Sequence, residues 1–444
     1  MKNVKVIQTA KDTTDRLTEK ESLKLNSHKA DGNILEINPS KTFQQIIGFG
    51  GAFTESSAYT FYRMSEQKRN EIIEKYFDSE KGLAYSIGRV HIHSCDFALG
   101  NYTYVEDNDR ELRTFTIEHE KKWTIPFIKE AEKAKGSSIK LLASPWSPPA
   151  WMKTNGDMNH GGKLLPECAP LWAKYYTKYI KAARNEGLDI RAITVQNEPA
   201  AVQTWDSCIY SAEEERDFLR KHLGPTMEKE GLSDIKIYIW DHNRDIIVNR
   251  AKGVLEDAEA TKYVYGISNH WYVSEEFCNL TKVHELFPDK HILFSEGCQE
   301  GGVHLNSWET GERYGRNMIG DFNNWQEGWL DWNLILDETG GPNHVGNLCD
   351  APIIADTKKD EVIYNSSYYY IGQFSKYIKP GAKRIEVLQQ GKSALENAAF
   401  VNKDESIVVI VLNETDNEES FNLKYEEESA QYAIPAHGIT TFII

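Results

Sequence analysis

Cysteine is scarce. The 444 residues hold six, at Cys95, Cys168, Cys208, Cys278, Cys298 and Cys349, and no CxxC pair occurs. Such wide spacing supports no disulfide framework and reads as reduced, buried thiols. Positive charge is also short. Lys+Arg total 51 against 67 for Asp+Glu, a formal charge of −16. That balance argues against a nucleic-acid partner, which needs a basic face, and against docking on anionic lipid without a local basic patch. No window of about 18 uncharged apolar residues is present, so no integral membrane segment is expected. The opening stretch MKNVKVIQTAKDTTDRLTEKE lacks an apolar run of about 7–15 residues and a cleavage site. A conventional signal peptide is therefore not expected, and a cytoplasmic location is.

Motifs for bound groups are missing too. No GxGxxG follows a first strand, and Gly48-Phe49-Gly50-Gly51 has the wrong spacing for a phosphate loop. It reads instead as close backbone packing at a barrel mouth. There is no HExxH, and His91 and His93 fall on opposite faces of a strand, which makes them poor partners for one ion. His291, His304 and His344 are scattered. No GxSxG nucleophile elbow appears. No metal and no cofactor is expected.

What remains is globular material, 40% hydrophobic, with 11 Trp and 22 Tyr. Rings in such number often line pockets for sugars, bases or peptides. Residues 1–40 are polar, with alternating runs at Val4–Gln8 and Ile34–Asn38 that read as strands of a half-solvated sheet. From Ile46 the texture changes. Apolar runs at 85–92, 139–144, 190–196, 235–240, 263–270 and 291–296 alternate with amphipathic stretches at 65–77, 118–134, 169–187 and 211–231. Gly224-Pro225 should break or kink the last of these. Continuous apolar strands are buried on both faces with helices as cover. The fold class is α/β. A first strand at 45–48 and a last at 328–333 complete eight, a (β/α)8 TIM barrel over 41–378. Residues 379–444 return to alternation. They predict a side β-sandwich that recruits residues 1–40, so that both chain termini form one domain.

In such a barrel the chemistry sits at the C-terminal ends of the strands. Strand four ends in Gln196-Asn197-Glu198-Pro199 and strand seven in Ser295-Glu296-Gly297. Each Glu directly follows an apolar strand, where an ionised side chain is costly unless paired or used. Either alone could be a strand reaching solvent. Both together, ringed by Trp146, Trp240, Trp271 and Trp332, point to glycoside hydrolysis, which needs one carboxylic acid and one carboxylate across a sugar. Asn197 can bind a sugar 2-hydroxyl, and Arg89 can sit under Glu296 and keep it ionised. Tyr272 can donate to Glu296, and His270 can orient a neighbour.

The segments GFGGAFTESSA (48–58), SCDF (94–97), LLASPWSPPAWMKTNG (141–156), TVQNEP (194–199), HWY (270–272), SEG (295–297) and GWLDWNLILDETGGPNHVGN (328–347) together resemble glycoside hydrolase family 30. Its best-known members are lysosomal acid β-glucosidases, the glucosylceramidases. The resemblance implies the barrel and two-terminus sandwich, and retention of configuration through a covalent glycosyl-enzyme. It implies Glu198 as acid/base and Glu296 as nucleophile. Asp96, Trp146, Asn197, Tyr272, Trp332 and Asn347 then contact substrate or the pocket rim, with Arg89 and His270 in support. Asp96 would hold the outer hydroxyls. The chain departs from the lysosomal members at Glu55, where they have Asp, near the barrel floor, and at His344, where they have Trp, near the pocket entrance.

The expected function is a retaining, exo-acting β-glycosidase on β-glucosides, with a small glycoside or glycolipid as substrate. A β-xylosidase, β-fucosidase or β-1,6-glucanase on the same scaffold is the enzymatic alternative, and an inactive carbohydrate-binding protein the other. A glycolipid enzyme would need an apolar patch at the mouth, for which Tyr102, Tyr104, Trp308 and Trp325 are candidates. A monomer or homodimer fits. The two carboxyls should lie about 5–5.5 Å apart, the retaining distance.

Overall fold

A computed structural model describes residues 2–27 and 30–444. Eight parallel strands close into a barrel: Gly48–Ala52, Ile87–Ile92, Lys140–Pro145, Asp189–Thr194, Lys236–Asn243, Gly266–His270, His291–Glu296 and Gly328–Asn333. They are called strands one to eight below. Closure is made by strand eight, which pairs with strand seven at Phe294 and Trp329 and with strand one at Gly328 and Gly48.

Strand one lies downstream of its expected place at 45–48, because Gln45 ends the long strand Ile34–Gln45 of the other domain. The glycines explain the shift. A Cβ on Gly50 would stand 1.8 Å from the Ile87 carbonyl oxygen, so only glycine lets strand one lie this close to strand two. The stretch expected as one helix over 118–134 is a 3₁₀ turn, Glu118–Lys121, followed by the helix Thr124–Lys135, which Gly136 ends in the left-handed region at φ 74°. The stretch containing Gly224-Pro225 does not break. A π-turn at Leu219–Leu223 widens the path between Ala212–Phe218 and Gly224–Lys229, which accommodates a residue without an N–H.

The second domain is a nine-stranded sheet built from both ends of the chain. Its order is Glu428–Ile434, Glu419–Tyr425, Ile34–Gln45, Lys383–Gln390, Glu396–Val401, Ile407–Asn413, Gly438–Ile443, Asn3–Ala10 and Thr18–Lys24. The sheet folds over on itself, for Phe421 and Tyr432 near one end meet Phe442 near the other at ring distances of 5.8 and 5.1 Å. Ile407–Asn413 shows how the domains join. Its Ile407, Val409 and Val411 enter the sandwich core, while Val408, Ile410 and Leu412 enter the barrel core. Alternate side chains of a strand point to opposite faces, so a run apolar at every position serves two cores at once. A small three-stranded sheet, Ile335–Asp337, Ile353–Asp356 and Glu361–Tyr364, follows strand eight.

Candidate active site

Three strands carry an irregularity where they reach the barrel mouth. The register slips between Trp240 and His242 in strand five, between Phe294 and Glu296 in strand seven, and between Asp331 and Asn333 in strand eight. An extra residue at such a point re-aims the side chains that follow. Glu198, Trp240 and Asp241 also take φ of 47, 73 and 51°, a strained region for residues with a Cβ. The strain falls on the residues that turn carboxylates into the barrel.

The result is a cavity of about 270 Å³ at the C-terminal ends of the strands. Asp96, Trp146, Asn197, Glu198, Tyr272, Glu296, Trp332 and Asn347 all line it. Arg89 and His270 lie beneath, wholly buried. A cavity of about 280 Å³ at the opposite end is lined by apolar side chains, Gln45, Tyr238, Arg191 and lysines with no carboxylate, and it offers no carboxylate pair.

Arg89 is the hub. Its guanidinium donates to Glu296 Oε2 at 2.5 Å, to Asp241 Oδ2 at 2.8 Å, to Asn197 Oδ1 at 2.9 Å and to Ser144 Oγ at 3.2 Å. It stacks 4.8 Å from the Trp146 ring, and Trp146 stacks on Trp332 at 5.3 Å. Glu296 Oε1 accepts from the Tyr272 hydroxyl at 2.9 Å. His270 spans the carboxylates, with Nδ1 3.2 Å from Glu198 Oε1 and Nε2 3.1 Å from Asp241 Oδ1. Asp241 also accepts from Ser295 at 2.5 Å.

These contacts set the charges. Burial works against a charged His270, but Glu296, Asp241 and Glu198 outweigh it and push it up to about 9, so it is an imidazolium at neutral pH. Burial would raise Asp241, yet Arg89 and His270 hold it far below the usual carboxylate range. Glu198, buried beside His242 and His270, is held at about 2. Burial and the neighbouring Glu198 and Asp241 carboxylates lift Glu296 against the pull of His270 and Arg89. The protons belong to the cluster as a whole. Asp96 is pushed up to about 7 by burial, against the hydrogen bond from Asn347.

One atom each of Glu198, His270 and Glu296 lies within 4.8 Å of the other two, a spacing that could hold a metal ion. The donor set fits such an ion poorly. Glu296 is already paired with Arg89, and His270 carries a proton at neutral pH on the nitrogen facing Glu198. His91 and His93 are taken up elsewhere: His91 Nε2 accepts from the Glu55 amide, and His93 bonds Tyr175 and the Ser147 carbonyl.

The expected ring of four tryptophans is only half right. Trp146 and Trp332 line the cavity, but Trp240 and Trp271 belong to the barrel core, donating to the carbonyls of Asn243 and Cys298. Trp205 lines the cavity in their stead. Glu55 is not at the barrel floor. It follows strand one at the mouth, buried, and bonds His119 at 2.7 Å and the Leu99 amide at 2.9 Å. The sequence assigns no site role to Asp241, His242, Asn243, Asn343 and the cavity-lining Cys298 and Cys349. Asp241, His242 and Asn243 had a signal, since they end a barrel strand in polar residues.

A closed eight-stranded parallel barrel with paired carboxylates and an aromatic floor at the C-terminal strand ends defines a glycoside hydrolase. Residues 46–378 match the glycosyl hydrolase family 30 TIM-barrel domain, and residues 381–442 match that family's beta sandwich domain. The chain belongs to glycosyl hydrolase family 30. It is similar to the lysosomal acid glucosylceramidase of Mus musculus, 37% identical over 400 residues covering 86% of this chain and 77% of that protein. The crystal structure of SrfJ from Salmonella typhimurium superposes with a TM-score of 0.95 at 36% identity, covering 100% of this chain and 99% of that one. The endo-β1,6-glucanase BT3312 superposes with a TM-score of 0.90 at 29% identity, covering 99% of each.

The mouse relative corrects one expectation. Its name places it in the lysosome, so the cytoplasmic location drawn from the opening residues is not upheld. No helix among the described residues is long and apolar enough to cross a membrane.

Proposed function

We propose that this chain is a retaining, exo-acting β-glucosidase working by double displacement. The observation that carries the reading is the approach of one Glu198 oxygen to one Glu296 oxygen within 4.8 Å. Retaining enzymes hold their carboxyls about 5–5.5 Å apart, whereas inverting ones leave about 6.5–9.5 Å for a water. Glu296, oriented by Arg89 and Tyr272, attacks the anomeric carbon. Glu198 protonates the departing oxygen and then takes a proton from the incoming water. His270, its pKa raised to about 9 and its ring 3.2 Å from Glu198, supplies the first of these protons across this contact. Asn197, held by Arg89, meets the 2-hydroxyl, and Trp146 and Trp332 form the apolar floor. Asp96 binds the outer hydroxyls. It also ties the loop after strand two to the loop after strand eight through Asn343 and Asn347, closing one side of the pocket as exo action requires.

The surface favours an apolar aglycone. Tyr102, Tyr104, Trp308 and Trp325 do not form a mouth patch. Tyr102 and Tyr104 bond Glu120, Trp308 bonds the sandwich at His437, and Trp325 stacks on His284 ahead of strand eight. Of the exposed large apolar side chains among the described residues, Leu286 and Leu388 lie on a barrel helix and the sandwich, whereas Leu99, Val202, Ile246, Val273 and Leu305 follow strands two, four, five, six and seven. They surround the cavity end of the barrel, as a glycolipid's chains would require. The name of the mouse relative supports glucosylceramide as that substrate; the name of BT3312 supports β-1,6-glucan as the rival.

The test is hydrolysis of an aryl β-glucoside, a short-chain glucosylceramide and a β-1,6-linked disaccharide by wild type and Glu296→Gln, with the product anomer followed by NMR. Turnover with retention, lost in the variant, supports the reading. Inversion, or equal inactivity of both proteins, overturns it.

A further inference from the structure

His344 is a residue that the reaction scheme leaves unused. The structure buries it against a second unused group. Its Nε2 lies 3.5 Å from Asp206 Oδ2, and their side chains are 9% and 0% exposed. Neither atom has another hydrogen-bond partner. Burying a carboxylate is costly unless a cation answers it, so each group is the other's reason to be charged.

The pair joins three loops. Asp206 follows strand four, and its other oxygen accepts from Ser94 after strand two at 2.6 Å. His344 follows strand eight. Its ring Nδ1 donates to the Ala98 carbonyl at 3.2 Å, and its amide donates to the Asp96 carbonyl at 3.3 Å. On either side of it sit Asn343 and Asn347, whose amides hold Asp96 Oδ2 at 3.2 and 3.0 Å. Asn343 Oδ1 accepts from the Val345 and Asn347 amides, so this stretch moves as one piece.

We propose that the His344–Asp206 ion pair is the positioning device for the outer-hydroxyl end of the sugar pocket. It pins the Asn343–Asn347 stretch against the loop after strand two and so fixes where the Asp96 carboxylate points. His344 touches no substrate in this scheme; it is a positioning residue. The inference rests on the glycosidase reading and adds to it a specificity role for a residue outside the carboxylate cluster.

The pair should respond to pH. Burial works against the imidazolium, but Asp206, then the Ala98 carbonyl and Asp96, outweigh it, so the His344 pKa is raised. Its charge is therefore present below that value and lost as pH rises through it. Other titratable groups face Asp206: His93, held neutral by burial at about 4, and the buried Cys95 thiol. Lys153 also faces it, its pKa lowered to about 8 by burial, with its ammonium on the Met158 and Ser207 carbonyls. Lys153 contributes to any alkaline change, and it does so equally with or without His344.

The experiment compares wild type, His344→Gln, Asp206→Asn and the double variant on an aryl β-glucoside from pH 5 to 9, with thermal unfolding of each. We expect His344→Gln to raise KM about 10-fold below neutral pH with kcat within about two-fold, the mark of lost uniform binding. Wild-type KM should climb with pH more steeply than the variant's, whose remaining change is that of Asp96, raised to about 7, and Lys153, lowered to about 8. The double variant should recover much of the loss, since it no longer buries a lone carboxylate. Unchanged KM in a folded His344→Gln, or a fall confined to kcat, overturns the proposal. If wild type turns over no glycoside, the glycosidase reading fails first. Calorimetric titration with glucose then decides this inference alone: tighter binding by wild type than by His344→Gln supports it, and equal or absent binding overturns it.

Discussion

Arg89 and Glu296 meet at 2.5 Å with the guanidinium wholly buried and the carboxylate almost so. The same guanidinium holds Asp241 and Asn197. One cation thus orients a carboxylate from strand seven, an acid from strand five and an amide from the end of strand four. Arg→Lys is not a small change here, since a planar fork is replaced by a point charge. Arg89→Lys is expected to lower kcat by roughly 10²–10³ and to lower the unfolding midpoint, because buried carboxylates lose a partner at a cost of about 3–5 kcal/mol. Steady-state kinetics and calorimetry check both.

Tyr272 gives Glu296 its other hydrogen bond, at 2.9 Å. Tyr272→Phe keeps the ring and removes the donor. A hydrogen bond to a charged group contributes about 1.5–3 kcal/mol, so kcat should fall roughly 10- to 100-fold with little change in fold. Circular dichroism beside the kinetics separates the two.

His270 sets the alkaline limb. Its pKa is raised to about 9, above the ordinary value of about 6.5. The charge pairing it provides is full below about 6.5 and disappears as pH rises through about 9. Activity should fall over that range as the cluster loses the proton Glu198 needs. His270→Asn removes this limb, or the assignment is wrong. Glu198 works in the opposite sense. Its pKa, lowered to about 2, means its contribution to stability is present above about 4.5 and lost as pH falls through about 2.

Stability is most exposed at strand one. Gly50→Ala would place a methyl 1.8 Å from the Ile87 carbonyl oxygen. Backbone cannot swing aside as a side chain can, so a loss above about 3 kcal/mol is expected. Val409→Ala in the sandwich core should cost about 2–4 kcal/mol by leaving a cavity. Urea unfolding measures each.

The barrel strands and the two carboxylates were legible because an apolar run that ends in a polar residue marks a barrel mouth. Glu198 and Glu296 both carry that mark. Asp241 carries it too, but the bulge after Trp240 that turns it toward Arg89 and His270 leaves no trace in composition. Trp240 and Trp271 misled for the same reason, since their ring direction depends on register. The edge strands Thr18–Lys24 and Glu428–Ile434 were missed because their burial alternates weakly. Ile407–Asn413 is apolar at every position up to Leu412, and its second core is visible only once the barrel lies against it.

The central claim is that Glu296 forms the covalent glycosyl-enzyme. Its most direct test is trapping with an aryl 2-deoxy-2-fluoro-β-glucoside, which slows breakdown of that intermediate, followed by peptide mass spectrometry. The account predicts one added 2-fluoroglucosyl group, located on Glu296 and absent in Glu296→Gln. A label on any other side chain, or an active enzyme that takes no label and releases the inverted anomer, would contradict it.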